Sequence, residues 1–313
     1  MPKKAHTVKI ANQPLELSVS TGSKIRLHQV PAAVDNLCWL IEYEPQKVAL
    51  VDGPNAHEIL DYLAQHQLQL THILNTHTHG DHIGVNQDLD KRNMLQDLEV
   101  WGSAKAPSPI PGLSKALHDR DQITLGELSG SVILTEGHLN GHISFVFNLN
   151  LNIDDSESDS APKNLNSIEC LLFCGDTLFA GGCGYVFDGP MSSMAQSLDK
   201  LASLPKQTLV CCAHEYTLDN LHFALSIEPG NLKLQERACK VIQLREKGYS
   251  TVPSTLQEEL ESNPFLRSHS LEIIKSIGVN PNESRPFIFE KTRRLKDQKV
   301  YRNYPLEELI KRV

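Results

Sequence analysis

No Cys-x-x-Cys pair occurs in this chain, and its seven cysteines (38, 170, 174, 183, 211, 212 and 239) form an odd, irregularly spaced set. That pattern argues against a secreted disulfide framework and for buried, reduced thiols in a cytoplasmic protein. Long apolar runs are also missing. None could span a bilayer, and the opening stretch MPKKAHTVKIANQPLEL has two lysines but no apolar signal-peptide core. No membrane partner is expected. Positive charge is in deficit: 30 Lys and Arg stand against 38 Asp and Glu, a net charge of −8 and a pI near 6.0. Wholesale nucleic-acid binding is therefore not expected, although a local basic patch can still hold a small anion. What remains is an ordinary globular composition, 40% hydrophobic and 22% charged over 313 residues. This suits one large domain or a domain with an appendage.

Against that background one run stands out: Thr76-His77-Thr78-His79-Gly80-Asp81-His82. It places three imidazoles and a carboxylate within six residues. A solvated loop that happens to be His-rich is the bland alternative, and the density of ligating groups argues for a metal site instead. His77 and His79, one residue apart, can point into one cavity from an extended loop. A tight turn at Gly80 is expected to aim Asp81 and His82 at a second ion. Imidazole and carboxylate without thiolate suit zinc, iron or manganese. Residues 70–75 before the motif read as a short buried strand, and strand C-termini are where open α/β architectures gather ligands. The polar stretch 84–96 after it reads as a helix.

Further strands are expected at 24–30, 36–43, 47–51, 98–102, 131–135, 143–149, 170–174 and 208–212, with helices near 57–66, 191–203 and 217–227. This alternation indicates a layered α/β core with helices outside. Residues 152–167, acidic and rich in Ser and Asn, cannot bury a face and read as a surface insert. From about residue 229 the pattern becomes helical (232–247, 254–262 with a Ser/Thr capping signature, 271–277). The expected division is thus 1–228 for the metal-binding domain and 229–313 for a helical C-terminal region. Near the end, residues 290–299 are strongly basic; a solvated helix face and an anion clamp are equally compatible with that run.

A two-metal site needs more ligands, and later strand ends offer them: His138 after 131–135, Asp176 after 170–174 and His214 after 208–212. Singly, each has an ordinary structural explanation; their repeated placement makes coincidence a poor account. His142 reads as a supporting histidine, and the histidines at 6, 28, 57, 66, 72, 118, 222 and 269 as ordinary residues.

The ordered set HxHxDH, Gly137-His138, Gly175-Asp176-Thr177 and His214 resembles the metallo-β-lactamase superfamily. Within it the chain is similar to the glyoxalase II (hydroxyacylglutathione hydrolase) family. Similar stretches are Cys174-Gly175-Asp176-Thr177-Leu178-Phe179, His214-Glu215-Tyr216-Thr217, Asn263-Pro264-Phe265 and Arg293-Arg294-Leu295-Lys296-Asp297. The resemblance covers nearly the whole chain apart from the acidic insert. It implies a four-layer αββα sandwich with a small helical C-terminal region, monomeric and cytoplasmic. It also implies two divalent metal ions, zinc first, with iron or manganese also suited. His77, His79 and His138 would hold one ion, and Asp81, His82 and His214 the other. Asp176 would bridge them, and Asp81 would also orient the nucleophile.

The implied reaction is hydrolysis of S-lactoylglutathione to glutathione and a 2-hydroxy acid, as in methylglyoxal detoxification. Tyr216, Arg293 and Lys296 would bind the glutathione portion, which favours the anion clamp for the basic run. The chain departs from the family after Gly184. There the family usually carries a basic residue and, two positions on, a tyrosine; here Tyr185 and Phe187 stand. Both are substrate-side positions, so the metal ligands are untouched while thiol recognition is altered. The competing readings are a hydrolase of another thioester, a mono-iron persulfide dioxygenase-like protein and a non-catalytic binder of glutathione conjugates. The complete Asp81, His82 and His214 set argues against the second.

Overall fold

A computed structural model describes residues 8–10, 14–19, 22–149 and 168–310. The acidic insert expected at 152–167 lies outside them. Strands β1 (Leu15–Ser18), β2 (Lys24–Ala32), β3 (Asn36–Glu44), β4 (Lys47–Val51), β5 (Gln69–Leu74), β6 (Glu99–Ser103) and β7 (Leu113–Leu117) form one sheet in sequential order. A second sheet holds β8 (Gln122–Leu125), β9 (Leu128–Leu134), β10 (Ile143–Asn148) and β11 (Cys170–Gly175). A small hairpin, β12 (Leu178–Phe179) and β13 (Gly182–Cys183), stands apart. The second sheet continues with β14 (Thr208–Cys212) and β15 (Ser254–Thr255), in the order β15-β14-β11-β10-β9-β8.

The central strands are apolar on both faces because both faces are covered. Along β3, Leu37, Trp39 and Ile41 join the core that also contains Phe145, Phe147, Leu171 and Phe173 of the second sheet. Their neighbours Cys38 and Leu40 point the other way, toward α1 (Ala56–His66) and α2 (Gly80–Lys91). This period-two division of one strand between two cores is the signature of a sheet inside a sandwich. On the far side α3 (Met191–Ala202) places Met194, Leu198 and Leu201 against the second sheet. The layers are therefore helix, sheet, sheet, helix. Six of the cysteines are buried and Cys239 is exposed, all as free thiols.

The remaining helices are α4 (Thr217–Ile227), α5 (Leu232–Glu246), α6 (Leu256–Ser262), α7 (Leu271–Ser276), α8 (Arg285–Asp297) and α9 (Leu306–Ile310). The capping signature is real: Thr255 accepts from the Glu258 amide while Glu258 reaches back to the Thr255 amide, closing a capping box at the start of α6. One expectation needs correction. The helix after the His-rich motif spans Gly80–Lys91 rather than 84–96, so Gly80 begins a helix instead of making a tight turn. Beyond 229 the chain is helical as expected, and within it Ser254 and Thr255 pair with β14 and extend the second sheet. No helix among the described residues is long and apolar enough to cross a membrane.

Candidate metal centre and substrate cleft

The two sheets bring their strand ends together at one edge of the sandwich. β5 delivers the His77–His82 segment, β11 delivers Asp176 and β14 delivers His214; His138 lies in the turn between β9 and β10. His79 Nδ1 lies 3.0 Å from His77 Nε2 and 3.0 Å from His138 Nε2. Asp81 Oδ2 lies 3.5 Å from His82 Nε2 and 3.4 Å from His214 Nε2. These are two separate clusters of three donors, the donor atoms within each all lying within 4.8 Å of one another. Asp176 stands between them. Its Oδ2 is 3.5 Å from His138 Nε2, and its Oδ1 is 3.5 Å from His82 Nε2 and 3.4 Å from His214 Nε2.

The donor set fits two divalent cations. His82 Nε2 and Asp176 Oδ1 are buried and have no hydrogen-bond partner, an arrangement that costs stability unless a cation meets them. Burial alone would raise the Asp176 carboxyl, but the His214 and His82 imidazoles outweigh it and hold it far below the usual carboxylate range. Burial likewise opposes ionisation of Asp81, and His214, His82 and Asn36 overcome it. Despite its burial His214 is raised to about 9 by Asp176, Asp35 and Asp81. His77 goes the other way, kept neutral first by burial and then by the imidazoles around it. Concentrated carboxylate charge that otherwise drives imidazoles to protonate is the electrostatic condition a cation relieves.

Residues outside the sequence-based set hold these donors in place. Asp52, which follows β4, accepts from the Thr76 amide at 2.8 Å and from Thr76 Oγ1 at 2.7 Å, and faces His82 Nδ1 at 2.9 Å. It also clusters with His77 and His82, but with both oxygens engaged it orients His82 rather than competing as a ligand. Asp35 does the same for His214 Nδ1 at 3.1 Å, and the Tyr185 carbonyl accepts from His138 Nδ1 at 2.9 Å. His142 is fully buried, stacks on His77 with centroids 4.7 Å apart, and accepts from the Asp176 amide at 3.3 Å. Its sequence-based reading as a supporting histidine agrees with this geometry. Gly184 permits the close approach below Asp176, since a Cβ there would sit 1.9 Å from the Asp176 carbonyl oxygen.

Beside the centre lies a cleft lined by Phe179, Cys183, Tyr185, Tyr216, Arg293 and Lys296, among others. Four of the five residues expected to bind substrate thus share one wall system. Phe187 does not line it; its ring packs edge-on against His79 and His138, with centroids 5.5 and 5.2 Å away. Phe179, absent from the sequence-based set, packs on both His214 and Tyr216 and so joins cleft to centre. Tyr216 stacks flat on His214 at 4.9 Å.

The basic run divides by helix face. Arg294 is solvated, whereas Arg293 is only 2% exposed; its Nη1 donates to the Cys183 carbonyl at 3.0 Å and its Nε to Asp297 at 2.9 Å. The Arg293 guanidinium lies between the Tyr185 and Phe265 rings, 5.0 and 5.2 Å from their centroids. Lys296 donates to Asn220 Oδ1. Burial, reinforced by Arg293, lowers Lys296 to about 7.

A layered sandwich carrying this two-cluster centre at its strand ends belongs to the metallo-β-lactamase superfamily. The superfamily's model matches residues 32–150, and the model described as hydroxyacylglutathione hydrolase C-terminus matches residues 215–299. The chain is 41% identical over 275 residues to a hydroxyacylglutathione hydrolase of Methylococcus capsulatus, covering 87% of this chain and 98% of that one. It is 39% identical over 272 residues to a hydroxyacylglutathione hydrolase of Synechocystis sp., with 87% and 98% covered. By these criteria it belongs to the hydroxyacylglutathione hydrolase family. Among solved structures, the fold is shared with the BLEG-1 B3 metallo-beta-lactamase (TM-score 0.52, 20% identity, 77% of this chain and 99% of that one). It is shared also with ETHE1 from Myxococcus xanthus (TM-score 0.52, 22% identity, 84% and 94%).

Proposed function

We propose that this chain is a thioester hydrolase that cleaves S-2-hydroxyacylglutathione, S-lactoylglutathione in the first place, to glutathione and a 2-hydroxy acid. The observation that carries the reading is the junction of two three-donor clusters across Asp176 with a cation-lined cleft alongside. His77, His79 and His138 would hold one divalent cation, Asp81, His82 and His214 the other, and Asp176 both. Zinc suits this donor set, as do iron and manganese. When bound, such a pair lowers the pKa of a nucleophilic water and polarises the thioester carbonyl.

The protein's own residues do the rest. Asp81, whose side chain is 43% exposed, faces the open side of the centre and orients the attacking water. The water gives up one proton to solvent and its oxygen adds to the carbonyl carbon; the C–S bond breaks, the sulfur leaves as a thiolate, and the 2-hydroxy acid leaves as its carboxylate after its second proton passes to solvent. Thiolates are good leaving groups, so no dedicated acid is required. Arg293 and Lys296 hold an anionic end of the thiol portion, and Tyr216 lines the path between cleft and centre. The glutathione names of the relatives and the match of residues 215–299 to their C-terminal model support the choice of thiol.

The test is hydrolysis of S-lactoylglutathione by purified protein, with metal content determined on the same sample. Rapid turnover with about two metals per chain is expected. Asp176→Ala should lose turnover and metal together. Full activity in that variant would overturn the two-metal reading, and two metals without turnover would move the substrate to another thioester.

A further inference from the structure

The cleft has a second charged wall that the reading above leaves without a role. Beyond Lys296 the chain leaves α8 through Lys299, which adopts a left-handed conformation (φ 57°), and turns into a short 3-10 helix, Val300–Asn303. This segment folds back on α4. The Tyr301 ring packs against Phe223 and His222, with centroids 5.4 and 5.3 Å away, and the Tyr304 carbonyl lies 2.7 Å from His222 Nε2. Two side chains meet at the cleft as a result. Arg302 Nε donates to Asp219 Oδ1 at 2.8 Å, and Tyr301 donates its hydroxyl proton to Asp219 Oδ2 at 2.8 Å. Asp219, Tyr301 and Arg302 all line the cleft. Tyr301 and Arg302 lie past residue 299, where the match to the family's C-terminal model ends, whereas Asp219 lies within it.

This pair is pre-organised yet unsaturated. A guanidinium carries five N–H donors in a planar fork and only Nε is committed to Asp219, so Arg302, with a 48% exposed side chain, keeps donors for a carboxylate. The Asp219 carboxylate, 38% exposed, has lone pairs left for an ammonium. Burial opposes its ionisation, but hydrogen bonds from Arg302 and Tyr301 keep it below the ordinary carboxylate value, and so charged. Adjacent fixed charges of opposite sign on one wall are complementary to an α-amino acid terminus.

We propose that Arg302 and Asp219 form a second recognition point of the cleft, which takes the free ammonium-and-carboxylate end of the substrate's thiol portion. Arg293 and Lys296 then take its other carboxylate. This rests on the reading that the cleft holds the thiol portion, and it accounts for how the chain anchors a two-carboxylate thiol with Tyr185 where its family usually carries a cation.

The test is calorimetric binding of two thioethers that cannot be hydrolysed, S-methylglutathione and S-methyl-cysteinylglycine, the second lacking the γ-glutamyl group. Arg302→Ala should weaken S-methylglutathione about tenfold or more, the worth of a charged hydrogen bond, and leave S-methyl-cysteinylglycine unchanged. Arg302→Lys should recover part of the loss. N-acetylated S-methylglutathione, without the ammonium, should bind wild type more weakly, and Asp219→Asn should weaken it no further. Equal losses for both thioethers, no loss in Arg302→Ala, or no binding of S-methylglutathione to wild type each overturns the proposal. S-Lactoylglutathione turnover separates the two readings. Arg302-dependent binding without turnover overturns the hydrolase and leaves this wall standing; turnover with binding indifferent to Arg302 does the reverse.

Discussion

Asp52 has both oxygens engaged beneath the metal centre, holding the Thr76 backbone with one and His82 Nδ1 with the other. Because His82 Nδ1 is fixed, its Nε2 is the nitrogen that faces Asp176. Asp52→Asn keeps the shape but removes the charge, so metal affinity should fall about 10- to 100-fold, as for other carboxylates that orient metal-binding histidines. Competition against a chelator measures this, and unchanged affinity would remove Asp52 from the centre. Lys296 makes a different kind of prediction. Burial and Arg293 lower it against the raising influence of Cys183, Asp219 and Asp297, so with a value near 7 it loses its charge as pH rises through neutrality. KM for an anionic thioester should therefore climb between about pH 6 and 8 while kcat moves less, and Lys296→Met should flatten that climb. The folded value lies below the free lysine value of 10.5. Between the two the unfolded chain binds more protons, so this group's share of stability rises with pH where its share of binding falls. A KM that is flat in wild type over that range would refute the assignment.

The β12–β13 hairpin joins centre to cleft, and it is held from below by the C-terminal helices. Glu259 on α6 is fully buried and accepts from the Gly181 amide at 2.8 Å, from Ser254 at 2.6 Å and from the Arg237 guanidinium. Asn263 donates to the Gly182 carbonyl at 2.9 Å and to the Phe179 carbonyl at 3.2 Å. Glu259→Ala strands Arg237 as a buried unpaired cation, and such losses cost about 3–5 kcal/mol. Denaturant unfolding should show that loss, with a raised KM because Cys183, Arg293's carbonyl partner, rides on the hairpin. Adding Arg237→Met to Glu259→Ala should recover the part of the loss due to the stranded cation, while the Gly181 and Ser254 donors stay unpaired; a double variant as unstable as the single one would sink the explanation. This element was only partly legible in the sequence. β3 and β11 could be read because burial on both faces leaves an unbroken apolar run. β7, with the sequence LSKAL, buries only its last residue and gives no such contrast. The residues of the two donor clusters could be picked out because most lie within six residues or directly at strand ends. Asp35, Asp52 and Phe179 could not, since each reaches its partner only after strands distant in sequence have paired.

At the scale of the whole molecule the centre lies across the seam of the sandwich. His77, His79, Asp81 and His82 follow a strand of the first sheet, while Asp176 and His214 follow strands of the second. The sheets are otherwise joined mainly by their apolar interface, the core around Trp39, Phe145 and Phe173. Two cations held by these residues would cross-link the sheets, and their binding free energy would add to that of folding. A ligand at a thousand times its dissociation constant contributes about 4 kcal/mol per site. Two sites make about 8 kcal/mol, and at roughly 1.5 °C per kcal/mol for a chain of this size, removal of both metals should lower the thermal midpoint by about ten degrees and readdition should restore it. The drop should be smaller in Asp176→Ala, whose cross-link is already lost. A midpoint that does not move after metal loss has been verified would mean that the apolar interface alone fixes the two sheets. The strand ends would then converge on the centre for chemistry and contribute nothing to cohesion.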